Sequence, residues 1–162
     1  MNVKWGLTLL ILFIVTGCSA DDSEQVEYQT ETSTDQEEDF TLEVSTPVEV
    51  KTGDTFVIEQ KLTYNGTKEL LIVHGDPAIR SKIINENGEE VDTGIYYVDH
   101  ALITEFTQGK SIKLEENFTL NESGNYEIHT SALFHKTDDL EGSNLISTFD
   151  MLIQPIKIHV SN

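Results

Sequence analysis

The chain has 162 residues, 29 acidic against 10 basic, for a formal net charge of −19. That balance argues against partners such as nucleic acid or an anionic lipid surface, both of which want clustered Lys and Arg. Cys18 is the only cysteine, so an intramolecular disulfide is excluded and any folded part must rely on its core.

A short positive start, the α-amine plus Lys4, leads into an apolar run from Trp5 to Val15. About eleven residues are too few for a membrane span, which needs roughly 20, but they suit the core of a signal peptide. The run closes on Val15, Thr16, Gly17 and Cys18. This quartet resembles the lipobox of bacterial lipoproteins: an aliphatic residue, a small one, Gly, then the Cys that is acylated. The resemblance implies that residues 1–17 are removed and that Cys18, carrying a diacylglyceryl group and palmitate, becomes the new N-terminus. One acyl chain binds a membrane only marginally, whereas two or three anchor it stably. The alternative is a stray thiol after an ordinary secretory signal. A lone cysteine behind small residues at the end of an apolar run speaks against that. Position 19 is Ser rather than Asp, so the inner-membrane retention signal of Gram-negative lipoproteins is absent. The expected address is the extracytoplasmic face of a cell membrane, held by lipid, in a Gram-positive cell.

Residues 18–39 read as the lipidated Cys and a tether. From Ser19 to Asp39 there are nine carboxylates, no Lys or Arg, and only Ala20, Val26 and Tyr28 as apolar or aromatic residues. Such a segment buries too little to offset its ordering entropy, so a disordered acidic linker is expected. A flexible chain of that length averages about 25 Å end to end, and self-repulsion extends it.

From Phe40 the texture changes to short alternating strands, and residues 40–162 read as one domain, long enough to build a core. Phe56, Ile58, Leu62 and Tyr64 share one face of a strand, with Gln60 breaking the series. Ile112, Leu114, Phe118 and Leu120 do the same, interrupted by Glu116. Tyr126, Ile128, Thr130, Ala132 and Phe134 follow, and Leu152, Ile156, Ile158 and Val160 repeat the period-2 pattern. Leu70 to Val73 is apolar on both faces, as a central strand would be. Pro155 lacks an amide donor and marks an edge or a bulge. Asn65-Gly66 and Asn87-Gly88 are hairpin signals. No helical period exceeds a turn or two. The expected fold is all-β: an antiparallel β-sandwich of about 7–9 strands.

Gly124-Asn125-Tyr126, a Gly-x-Tyr entering a late strand, resembles the tyrosine corner of immunoglobulin-like sandwiches, in which the phenol returns to a nearby backbone group. The wider pattern is similar to the bacterial intracellular proteinase inhibitor family, itself immunoglobulin-like. The matching pieces are Leu62 to Lys68, Ile84 to Val91, Gly109-Lys110-Ser111 and Gly124-Asn125-Tyr126. The resemblance implies an immunoglobulin-like sandwich. A fold does not fix an activity.

Candidate chemistry is sparse. The sequence has no Gly-x-Ser-x-Gly elbow, no His-Glu-x-x-His and no phosphate-binding glycine loop, so no catalytic residue, metal ligand or cofactor is expected. Histidines 74, 100, 129, 135 and 159 are scattered, although His129 and His159 could approach each other if their strands are neighbours. Two long connections are candidate contact surfaces. Gly94 to Leu102 carries Tyr96 and Tyr97, either as an interface or as a buried edge strand and crossover. His135 to Asn144 carries His135, Asp138, Asp139 and Glu141, either as a binding loop or as a neutral hairpin tip. The expected function is a non-enzymatic binding or accessory module at the membrane, with an envelope or extracellular protein as partner. The alternatives are a proteinase inhibitor presenting one loop and an ion-binding protein.

Overall fold

The computed structural model describes residues 28–162, and the lipobox residues Val15, Thr16, Gly17 and Cys18 lie outside them. Among the described residues there are ten strands and no helix. One sheet has the order β1-β2-β4-β7, from Thr30–Glu37, Phe40–Pro47, Thr55–Tyr64 and Ser111–Thr119. The other runs β3-β10-β8-β5-β6, from Glu49–Lys51, Ile156–Ser161, Gly124–Thr137, Leu70–Asn85 and Val98–Phe106, with β9 (Leu145–Leu152) also paired to β8. The two sheets make a β-sandwich. All ladders are antiparallel except β3 on β10, which is parallel.

Alternation builds the core. On β4, Phe56, Ile58, Leu62 and Tyr64 are all buried, and on β8 Tyr126, Ile128, Thr130, Ala132 and Phe134 are buried while their neighbours turn outward. Phe40 is the hub between the sheets, with ring centroids 5.1 Å from Tyr64 and 4.7 Å from Phe134. Burying side chains of this size contributes about 1.5–3 kcal/mol each. At the start of β8 the Tyr126 hydroxyl donates to the Glu122 carbonyl at 2.9 Å, the return to upstream backbone that the Gly-x-Tyr pattern predicts.

Four expectations are corrected. The tether was expected to run to Asp39, yet Thr30–Glu37 pairs residue for residue with β2 and turns back through Glu38 and Asp39. This strand has no apolar stripe because it is an edge that buries little; Thr and Ser still favour extended backbone, and the ladder supplies the rest. Asn65-Gly66 is no hairpin: β4 and β5 lie in different sheets. Gly66 is needed because a Cβ there would sit 2.2 Å from the Tyr64 hydroxyl and 2.6 Å from an Asp39 carboxylate oxygen. Leu152 is not in phase with Ile156, Ile158 and Val160. It is exposed while Met151 and Ile153 are buried, because the break before β10 at Pro155 shifts the inward set by one residue. That break, the short β3 and strand β1 bring the count above the expected seven to nine.

Candidate functional site

Sequence Gly75-Asp76-Pro77 interrupts the longest strand. Pairing of β5 shifts register between His74 and Asp76 against β6, and between His74 and Ile79 against β8. Proline offers no amide to a ladder and glycine no side chain to pack, so a bulge is the local solution. Around it opens a cavity of about 560 Å³, walled by Val73, Pro77, Ala101 and Leu133. Its polar lining is His74, Arg80, His100, Ser131, His135 and Asp150, drawn from β5, β6, β8 and β9.

His74 is buried and fixed at both nitrogens, with Nδ1 2.6 Å from the Gly75 carbonyl and Nε2 2.8 Å from Thr104 Oγ1. A carbonyl only accepts, so Nδ1 carries the proton, and in the neutral ring Nε2 accepts from the threonine hydroxyl. His135 Nδ1 lies 2.9 Å from Thr148 Oγ1 on β9. Arg80, the single arginine of the chain, has its guanidinium carbon 5.4 Å from the Tyr97 ring centroid. Gly75 makes room for that guanidinium: a Cβ there would lie 2.9 Å from Arg80 Nη2. The lining therefore offers several N–H donors and one carboxylate against an apolar wall.

The expected contact residues divide. Tyr96 is 82% exposed, whereas Tyr97 is only partly exposed and its phenol turns inward. Its oxygen accepts from Ser81 N–H at 3.3 Å, and its one proton faces the Ser81 carbonyl at 3.1 Å and the Glu116 carboxylate oxygens at 3.0 and 3.2 Å. Gln60 Nε2 donates to the same carboxylate at 2.7 Å, and Ser81 Oγ joins Gln60 Oε1 at 3.2 Å to Thr130 Oγ1 at 2.5 Å. Gln60 and Glu116, the two residues that break the apolar series of β4 and β7, are thus each other's partners. Burial and then the Glu116 charge push the Tyr97 hydroxyl up to about 12. Beyond Asp76, β5 has no pairing with β6, and Tyr97 caps both backbone groups of Ser81 on that free edge.

His135 lines the cavity, while Asp138, Asp139 and Glu141 belong to the loop from β8 to β9. Asp139 accepts from Ser143 N–H at 3.0 Å, Ser143 Oγ at 3.0 Å and Asn144 N–H at 2.8 Å. Backbone donation from Ser143, ahead of the others, holds its carboxyl below the usual carboxylate value. Asp138 accepts from Asn144 Nδ2 at 2.8 Å, and Glu141 is exposed. Gly142 packs so closely that a Cβ would lie 2.8 Å from Val73 Cγ2, so the loop folds back onto the sheet.

β8 and β10 are neighbours, but His129 and His159 do not meet. Register sets His159 opposite Asn125, to which it bonds at 3.0 Å, and His129 turns to Glu127 at 3.3 Å. The histidines that share a cavity are His74, His100 and His135. Only the bulge and three-strand register join them, and no sequence spacing carries that information. Among the described residues no group of three or more His, Cys, Asp or Glu is placed to hold a metal ion.

No protein-family model matches the chain, nor does the sequence of any curated protein. Among solved structures, the C-terminal domain of Wzt is similar over 83% of this chain and 81% of its own, with a TM-score of 0.45 and 9% identity. A structural-genomics target, SoR45, gives a TM-score of 0.39 at 11% identity over 81% of this chain and 85% of its own. A Listeria innocua β-glucosidase in complex with gluconolactone gives 0.37 at 9% identity over 83% of this chain, which spans 16% of that enzyme.

Proposed function

We propose that this chain is a lipid-anchored envelope protein whose β-sandwich is a non-catalytic binding module. The observation that carries the reading is Cys18, the only cysteine, placed behind Val15-Thr16-Gly17 at the end of an eleven-residue apolar run, Trp5 to Val15. On the sandwich, the outward face around the β5 bulge supports a contact role: it combines a cavity with donors and an exposed Leu133. Pockets of such mixed lining are the usual form of a binding site. A proteinase inhibitor would present a loop such as 138–144, and here Asp139 closes that loop on itself while Gly142 packs it against Val73 of β5.

Two measurements test the reading. Cys18→Ala should abolish lipidation and move the protein from the detergent phase to the medium; unchanged partitioning overturns the anchor. A cross-linking pull-down from intact cells, comparing wild type with Leu133→Asp, should lose partners in the variant. Identical partners in both remove this face from the binding role.

A further inference from the structure

The bulge cavity rests on the reading of this face as a binding surface, and its chemistry narrows what it takes. In a chain of net charge −19, this lining brings together the single arginine and three of the five histidines, with Asp150 as its one carboxylate. An Arg guanidinium presents five N–H donors in a planar fork that matches oxyanions, and imidazole N–H groups add further donors. The guanidinium is aimed by two contacts, the Tyr97 ring beneath it and the bare backbone of Gly75 beside it. It has other contacts of its own, and five donors allow it to serve both them and a ligand.

The apolar part of the lining sets the rest of the ligand. Val73, Pro77, Ala101 and Leu133 are apolar, and Leu133 is 54% exposed although it lies mid-strand. A cavity of about 560 Å³ falls within the size range of small-molecule sites. We propose that the cavity at the β5 bulge binds a small organic anion, with its carboxylate or phosphate head on Arg80, flanked by His100 and His135, and its compact apolar body on Leu133.

The test is calorimetric titration of the full-length protein in detergent with three probes: 4-methylpentanoate, phenyl phosphate and the neutral 4-methylpentanamide. At least one anion should bind, and it should bind about tenfold or more tighter than the amide, the scale of a charge-assisted hydrogen bond. Arg80→Met should remove that preference. Gly75→Ala, which displaces the guanidinium and leaves it charged, should weaken the anion several-fold and spare the amide. Of the two anions, the tighter one identifies the head group. Equal binding of anion and amide overturns the proposal and leaves the face as a binding surface. Absence of anion binding up to roughly 10 mM also overturns it. The cell pull-down above then decides separately whether the face binds anything. Should Arg80→Met unfold, the wild-type anion-to-amide ratio and Gly75→Ala still decide the matter.

Discussion

Glu116 sits between two sheets, where a carboxylate is costly unless its oxygens are matched. Gln60 and Tyr97 match them. Removing one partner leaves the other group buried and unsatisfied, so Tyr97→Phe should cost about 1–3 kcal/mol in urea unfolding. The same residue sets an alkaline limit. Tyr97 ionises near 10 when unfolded and at about 12 when folded, so above pH 10 the unfolded chain loses a proton that the native one keeps. Stability is therefore whole below pH 10 and declines as pH rises toward 12. Tyr28, Tyr64 and Tyr126 are raised as well and share in that decline. Tyr97→Phe should make the fall between pH 10 and 12 shallower without abolishing it. An unchanged slope, followed by far-ultraviolet circular dichroism, would remove Tyr97 from this role.

Elements owe their places to contacts the same logic can break. Gly66 lies in the connection from β4 to β5, against the Tyr64 phenol and Asp39. Tyr64 in turn donates to the Lys68 carbonyl at 2.7 Å, which pins the far side of the crossover. Gly66→Ala should therefore destabilise by about 1–3 kcal/mol through overpacking, read as a lower urea midpoint at constant slope. In the β8–β9 loop, Asp139→Ala should speed amide exchange of Ser143 and Asn144 and leave the core amides unchanged. Because the Asp139 carboxyl is depressed, its hold is full above the ordinary carboxylate value near 4 and fades as pH falls below it. Strands β4, β7 and β8 were legible in the sequence because each buries one face, and alternation records that directly. Strand β1 was not: its Thr, Ser and acids carry no stripe, since an edge needs only a ladder partner. Gln60 and Glu116 announced themselves as interruptions. Their pairing was hidden because 56 residues separate them and only the packing of β4 beside β7 joins them. The cavity was hidden for a related reason, as its histidines come from three strands and a bulge.

Over the whole molecule, charge and edges decide how the sandwich meets its surroundings. Strand β1, with Glu31, Asp35 and Glu37, covers the edge of β2, which otherwise offers a free row of backbone groups beside Phe40, Leu42 and Val44. Charged outer strands of this kind discourage edge-to-edge pairing. A chain beginning at Phe40 should accordingly self-associate and melt earlier than one beginning at Tyr28, as sedimentation and calorimetry would report. A monomer of unchanged melting temperature would show that β1 is dispensable. Strand β1 also has a mechanical meaning. Just ahead of it Tyr28 donates its hydroxyl to Asp54 at 2.5 Å, and the Gln29 carbonyl accepts from Val48 N–H at 2.9 Å. If the chain is held at Cys18 as proposed, a pull would load, among the described residues, this clamp first and then Thr30, the end of β1 farthest from its turn. A hairpin loaded there opens like a zipper, one pair at a time, while the sheets behind it stay closed. Peeling the eight residues of β1 would pay out about 26 Å of slack before force reached Phe40. On the proposed anchoring at Cys18, the outermost strand would serve as an extensible coupling ahead of the sandwich.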